Sequence, residues 1–403
     1  MHRRTTRTAG FAACAVLALA LAACGGGSGG QSGGSGSGPI QLGQIASLTG
    51  NYRPLGVNDQ FGAAQAVQEI NEAGGLLGGR QLEITVKDDQ TSPEQAVIAF
   101  NELAAQGVSA VVGSSFSNAS LAVIPIAQRM QIPYVSTAAS DEQVEPVRPY
   151  AFMTPPTAGV VAEQLLRYFQ AKGMAKMAVA YDTQSAFAQT GWAKQKEMAA
   201  QYGIEFVAVE TFETTTSNFS AVFTHVRDSG AQGLMVWATG APAVIITKQF
   251  AASGLDMPLV MSHAEASTLY TEPTAQAAEG VIVASSLAVI GPELPESELK
   301  AVVLAMAERF QKEHGYYPPQ FAFDGYCAVK LIAAAIEKAG SAEPEAIQQA
   351  LGNLTLLTPE GRYQYTPENH SGLGVDDVAV NVVQGGNFVP TEWSRQKLAE
   401  KLK

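Results

Sequence analysis

The sequence predicts an α/β protein of two Rossmann-like lobes, each built on a parallel sheet with helices on both faces, joined by a three-strand hinge. Three observations predict it. Short apolar strand candidates alternate with helix-like runs from Ile40 to Met153, the pattern of a parallel sheet covered by helices. The pair Pro155-Pro156 then breaks the chain, and the same alternation starts again. Finally, helices dominate after Ser285 and short strand signals after Leu354. The late helices can complete the first lobe and the terminal strands the second, so the chain crosses between lobes more than once. The crossings are expected near Thr154, Ser285 and Thr358. That gives a first lobe of 40–154 with 286–357, and a second of 155–285 with 358–403. Several crossings make a hinge, and the cleft beside a hinge is a usual small-ligand site.

The elements follow in order. Ile40 to Ala46 is a strand, and Asn58 or Asp59 can cap a helix to about Glu72, with Phe61, Ala64, Val67 and Ile70 on one face. Gly74 and Gly75 stop it. Gln81 to Val86 alternates as a strand does. Ser92-Pro93-Glu94 opens the next helix, with Ser at the cap and Pro at the first position. That helix ends near Gly107. Ala110 to Val112, Tyr134 to Val135 and Pro149 to Met153 are further strands, with a helix to about Arg129 between the first two. The second set has helices at Thr157–Ala171, Trp192–Gln201, Asn218–Asp228 and Val244–Ala252. Its strands are Met177–Tyr181, Phe206–Val209, Leu234–Trp237, Leu259–Met261 and Val281–Ala284. Helices at Glu296–Glu313, Pro319–Ala339 and Pro344–Leu351 come next, then strand signals around Tyr363 and at Val378–Val383.

The stretch from Val108 to Ser140 concentrates the polar chemistry. Twice, a short apolar strand ends in small polar residues: Ser114, Ser115, Ser117 and Asn118, then Ser136, Thr137 and Ser140. In open α/β sheets ligands bind outside the carboxyl ends of strands. Hydroxyls and helix N-terminal amides there are neutral donors for an anion such as a carboxylate. Ser and Asn before a helix also serve as caps for stability alone, and both readings stand at this point.

Bulk composition narrows the function. The chain has 403 residues, 46% hydrophobic and 15% charged, which suits two globular domains. A net charge of −12 argues against nucleic acid, which needs a basic face. Arg3, Arg4 and Arg7 precede an apolar run from Ala9 to Ala22, and no acid occurs before Asp59. This is the plan of an export signal covering residues 1–23, too short for a spanning helix. Its end, Leu21-Ala22-Ala23-Cys24, resembles the bacterial lipobox, which implies lipidation of Cys24. Residues 24–39 are nearly all Gly and Ser, a flexible tether. Lipid, tether and globular domain describe a protein held outside the cytoplasm at a bacterial cell membrane. With Cys14 removed and Cys24 lipidated, Cys327 stands alone in an apolar helix, a buried small hydrophobe with no disulfide partner.

The chain from about Ile40 to its last strands resembles the type I periplasmic substrate-binding proteins of ABC importers, and within them the branched-chain amino-acid (Leu/Ile/Val) binding group. The segments that carry the resemblance are Ile45-Ala46-Ser47-Leu48-Thr49-Gly50, Ile70-Asn71-Glu72-Ala73-Gly74-Gly75-Leu76, Asp88-Asp89 with Pro93, Val111-Val112-Gly113, and Phe323-Asp324-Gly325-Tyr326. The resemblance implies the periplasmic-binding-protein-like I fold, an ABC permease as partner and no enzymatic activity. It places the ligand's carboxylate on the Ser117 hydroxyl and its ammonium on the Ala138 carbonyl. The hydroxyl and amide of Ser140 would meet the polar head, and Ser115, Phe116 and Ala139 would line the pocket beside them. Leu55 sits where the family often has an aromatic wall, and Phe187 at the spacing of a second-lobe aromatic. Two departures matter. The Tyr often found near Gly240 is missing. The acid expected to pair with the ammonium aligns with Ala264, and Glu265 is one residue off. A buried ammonium without a carboxylate is costly. Either Glu265 reaches it, or the ligand is a small carboxylic or aromatic acid without an amine. A ligand-sensing regulator on the same fold is the other reading.

Enzyme signatures are missing. There is no GxxxxGK loop and no HExxH, and Gly-Ser-Ser-Phe-Ser does not match a G-x-S-x-G elbow. The five His have no metal spacing, so no metal or cofactor is expected. His370, in Pro367-Glu368-Asn369-His370, reads as a structural turn residue. Trp192, Trp237 and Trp393 read as packing residues.

Overall fold

The computed structural model describes residues 38–402. The signal segment, Cys14, Cys24 and nearly all of the tether therefore lie outside the described residues. The first lobe begins with β1 (Ile40–Ala46), α1 (Arg53–Glu72), β2 (Leu82–Asp88), α2 (Pro93–Ala105), β3 (Ala110–Val112), α3 (Ser117–Met130), β4 (Tyr134–Ser136) and β5 (Ala151–Met153). Its strands form one parallel sheet in the order β2-β1-β3-β4-β5. Strand order reverses on either side of β1, so β1 and β3 flank a switch point with their carboxyl ends toward the cleft.

The second lobe takes α4 (Ala158–Ala171), β6 (Lys176–Asp182), α5 (Ala186–Met198), β7 (Glu205–Phe212), α6 (Ser220–Asp228), β8 (Leu234–Trp237), α7 (Ala241–Ala252), β9 (Leu259–Met261), α8 (Thr268–Thr274) and β10 (Ile282–Ser286). The chain continues through α9 (Glu298–His314), α10 (Gln320–Ala339), α11 (Pro344–Leu351) and a hairpin of β11 (Thr355–Thr358) and β12 (Gly361–Gln364). It ends with β13 (Val378–Gln384), β14 (Asn387–Pro390) and α12 (Glu392–Lys401). The second sheet runs β14-β13-β10-β9-β8-β6-β7. Its β6 to β10 are parallel, while β13 and β14 add antiparallel at one edge. That edge departs from the all-parallel expectation: β13 enters antiparallel to β10 after the chain's passage through the first lobe, and β14 follows it by a hairpin.

Helix α10 is the spine of the first lobe. Phe323, Leu331, Ile332 and Ile336 are buried in one core with Leu42, Val112, Val135 and Phe152 of the sheet. It packs on α1 at glycine contacts. A Cβ on Gly62 would lie 1.8 Å from the Ala322 carbonyl oxygen, and one on Gly325 would lie 2.2 Å from that of Asp59. Only glycine admits that approach, and it brings Asp59 beside Asp324. Helix α1 also begins earlier than expected. Pro54 starts it at its first turn, so Asn58 and Asp59 are interior buried positions and not caps.

The hairpin corrects the expected third crossing. Tyr363 and Tyr365 are buried in the first lobe's core, and Tyr365 donates to the Met153 carbonyl at 2.7 Å. The expected crossing at Thr358 falls inside this hairpin, so the return to the second sheet comes between Thr366 and Val378. His370 holds that return in place. Its ring stacks on Phe152 at 4.1 Å, and its Nδ1 lies 2.8 Å from the Ala151 carbonyl, the structural role expected of it. In the second lobe Trp237 is fully buried and donates to Gln195 at 2.9 Å.

Candidate functional site

A small cavity lies between the lobes, the kind of cleft in which small-ligand sites occur. The first lobe contributes Leu55, Ser115, Phe116, Ser117, Ala138 and Ala139, and the second contributes Phe187, all anticipated from the sequence. Thr137, of the second polar strand end, and Ala264, the position aligned with the family's acid, line it too; Tyr52, Pro155, Ser185, Thr239, His263, Gln320, Phe321 and Asp324 complete the lining without having been singled out for it.

The two polar strand ends divide their work. Ser114 donates to Asp89 Oδ2 at 2.5 Å and accepts from the Phe116 amide at 3.1 Å. Asp89 also accepts from Ser47 at 2.6 Å and from the Thr91 amide at 2.8 Å. These groups build the loop. Ser115 Oγ is buried with no hydrogen-bond partner. Helix α3 starts at Ser117 with no side-chain cap, so the capping reading fails here. Its first amides carry the positive end of the helix dipole and are available to an anion. At the second strand end, Ser136 donates to Gln143 at 2.6 Å and Thr137 to Asp59 Oδ2 at 2.5 Å. The Ala138 carbonyl, expected to face an ammonium, accepts from Gln143 Nε2 at 3.0 Å.

Three expected site residues lie off the lining. Ser140 is fully buried and pairs with Thr190 of α5 at 3.0 Å, so its hydroxyl joins the lobes. Gly240 has φ +72°, and a Cβ there would face the Asn51 carbonyl 3.9 Å away, which places it beside the lining residue Thr239. Glu265 is buried and accepts from Ser262 at 2.9 Å. The short 3₁₀ turn His263–Glu265 points Ala264 into the cavity and Glu265 behind it. Burial raises the Glu265 carboxyl well above the usual range.

One wall is apolar. Tyr52, Leu55 and Phe321 cluster with Phe116, and Tyr52 stacks on Phe116 at 4.8 Å. The family resemblance implies Leu55 and Phe116 here; Tyr52 and Phe321 supply the aromatic surface. Across the cavity Phe187 meets Trp237 and His263 edge-on at 5.5 and 5.4 Å. Burial pushes His263 down to about 3, so the imidazole is neutral, and its Nδ1 has no partner. Among the lining residues there is no Lys or Arg, and Asp324 is the single acid.

Contacts bridge the lobes around this cavity. Asn118 on α3 donates to the Gln184 carbonyl and accepts from the Ala186 amide, both at 3.0 Å. Lys194 pairs with Glu145 at 2.6 Å, and the Gly159 amide donates to Asp141 at 2.9 Å.

A family model described as periplasmic binding protein matches residues 39–387. The leucine-, isoleucine-, valine-, threonine- and alanine-binding protein of Pseudomonas aeruginosa is 26% identical over 374 residues, covering 90% of this chain and 92% of its own. Among solved structures, an extracellular ligand-binding receptor from Rhodopseudomonas palustris HaA2 superposes with a TM-score of 0.81 at 20% identity, over 88% of this chain and 99% of that one. The branched-chain amino acid transporter substrate binding protein LivJ of Streptococcus pneumoniae, solved with isoleucine, has a TM-score of 0.77 at 24% identity, over 87% and 97%.

Proposed function

Because the chain belongs to the periplasmic binding protein family, we propose that it is an extracytoplasmic solute receptor, lipid-anchored through Cys24, that captures an amino acid of the branched-chain, hydrophobic type by lobe closure and delivers it to an ABC permease. The observation that carries this reading is the cavity's polarity. A free serine hydroxyl and uncapped helix amides stand at one side and the Tyr52, Leu55, Phe321 and Phe116 cluster at another. Neutral donors suit a carboxylate, and the apolar wall suits an aliphatic side chain. The relative from P. aeruginosa, named for binding leucine, isoleucine and valine, supports the same class. Closure removes water from the few polar contacts and strengthens them. No catalytic step belongs to this reading.

A thermal-shift screen of the amino acids against aliphatic and aromatic acids tests it. Stabilisation by leucine, isoleucine or valine is expected; none by any amino acid would sink it. For the anchor, labelling with a radioactive fatty acid should be lost in Cys24→Ala. A second reading has one observation in its favour. Ala264 stands where a second-lobe acid was expected, and Glu265 faces Ser262. On that reading the ligand is a small carboxylic or aromatic acid without an amine, and the same screen separates the two.

A further inference from the structure

The cavity's single lining acid belongs to a buried carboxyl cluster. Asp324, on the first turns of α10, is 1% exposed, and Glu360, in the β11–β12 turn, is fully buried, as is Asp59 of α1. Gln320 Nε2 donates to Glu360 at 2.6 Å and lies 3.1 Å from Asp324 Oδ1. Tyr363 donates to Glu360 at 2.9 Å. Burial raises both carboxyls, Glu360 to about 7, and the neighbouring Glu360 carboxylate raises Asp324 further. Asp59 stands next to them, raised by burial. Among the described residues its Oδ1 has no hydrogen-bond partner, and neither does the Nδ1 of the lining residue His263. Three acids thus gather with no Lys or Arg in the lining, and buried carboxylates require a cation or a proton. Among the described residues these side chains form no metal-holding group.

We propose that Asp324, backed by Glu360 and Asp59, is the counter-group for the ligand's ammonium, so that the amino group is read from the first lobe and not by a second-lobe acid. The proposal rests on the amino-acid reading above and deepens it. An ammonium is a compact donor with up to three N–H groups. It suits a site where a carboxylate and unpaired acceptors converge. The position also couples the ligand to closure. Gln320 accepts from the Ser286 amide at 3.1 Å, and the Tyr363 hydroxyl contacts the Thr154 carbonyl. The groups that hold Asp324 are thereby fastened to two of the chain's crossings between lobes.

Calorimetry on wild type and Asp324→Asn, with L-leucine, L-isoleucine, L-valine and amine-free 4-methylpentanoate, tests this. Loss of a charged hydrogen bond predicts about 10- to 100-fold weaker binding of the amino acids to the variant, with 4-methylpentanoate bound no more weakly. Equal amino-acid affinity in both proteins would overturn the role of Asp324 and leave the receptor reading intact. Wild type that binds none of the three amino acids would overturn the amino-acid reading, and this proposal with it. If the variant does not fold, a crystal structure of the wild-type leucine complex decides. The leucine nitrogen should lie about 3 Å from an Asp324 oxygen; a nitrogen on Glu265, or on no acid, overturns the proposal.

Discussion

Asn118 offers a way to change ligand affinity without touching the ligand. It sits one residue past the start of α3, outside the cavity lining. Its amide makes two hydrogen bonds to the other lobe, to the Gln184 carbonyl and from the Ala186 amide, each at 3.0 Å. Opening the cleft breaks both and hands the groups to water. A net intramolecular hydrogen bond is worth about 0.5–1.5 kcal/mol, and these two are at the lower end because the site is partly exposed. Asn118→Ala should therefore cost about 1–2 kcal/mol in the closed state alone. If ligand is held in the closed state, its apparent Kd rises by roughly 5- to 30-fold, mainly through faster dissociation. The second lobe should keep its stability, because Ser185 accepts from the Ala188 amide at 3.3 Å and caps α5 without help. Calorimetry gives Kd, stopped-flow gives the off-rate, and small-angle scattering of the liganded protein gives the closed fraction. Unchanged Kd and off-rate would refute the idea that this clasp holds the lobes together. A large fall in ligand-free melting temperature would show instead that Asn118 supports the fold.

Three more outcomes follow from the geometry. Ser117→Ala removes a hydroxyl that has no partner within the described residues, so melting temperature should hold while affinity for a carboxylate ligand drops by about 1–3 kcal/mol; calorimetry showing no change would remove Ser117 from the site. Gly62→Ala sets a methyl 1.8 Å from the Ala322 carbonyl oxygen, forcing α1 and α10 apart. Urea unfolding should show a loss of about 1–3 kcal/mol or more, and an unaltered midpoint would contradict the close approach. His263 is held near 3 in the folded chain, below its ordinary value of about 6.5. The unfolded state then binds the extra proton, so this contribution is full above about pH 6.5 and is lost as pH falls toward 3. By pH 5 the loss is about 2 kcal/mol. His263→Gln should flatten the melting temperature between pH 7 and 5 relative to wild type, and parallel profiles would refute the assignment.

Much of the fold was legible because its signals are local. β1 and β3 have their expected bounds, and Ser92 with Pro93 opens α2 as read, the Ser92 side chain accepting from the Gln95 amide at 3.2 Å. The misses arise where distant residues decide. The sequence points to Asn58 or Asp59 as the start of α1 because a polar pair looks like a cap. In the structure Asn58 accepts from Tyr316, 258 residues away, and Asp59 accepts from Thr137, 78 residues away. The sequence groups the hairpin after Leu354 with the terminal strands because nothing local shows that Tyr363 and Tyr365 pack in the first lobe's core. The site divides in the same way. Serines at consecutive strand ends carry a signal along the chain. Asp324 and Gln320 carry none, since only the packing of α10 against α1 aims them at the cavity. The segment Phe323-Asp324-Gly325-Tyr326 stood out as a family mark, without its role. Register explains Glu265. One residue along a 3₁₀ turn exchanges a cavity-facing Ala264 for a side chain on Ser262.

The placement of committed and free hydroxyls explains how such a site can recognise a small polar head. Ser47 and Ser114 are fixed on Asp89, Ser136 on Gln143 and Thr137 on Asp59, all buried. These bonds hold the turns after β3 and β4 whether or not the cavity is occupied. The free groups, Ser115, Ser117 and the first amides of α3, are therefore aimed before a ligand arrives. Binding then orders few additional torsions, which preserves affinity that a flexible site would lose. The second lobe contributes differently. It lines the cavity with neutral His263, apolar Phe187 and Ala264, and the hydroxyl residues Ser185 and Thr239, so closure excludes water and brings polar groups, none of them charged. If Asp324 holds an ammonium as proposed, discrimination among ligands by charge falls to the first lobe and its α10, and the Asn118 clasp, if it acts as predicted, sets how long a chosen ligand stays.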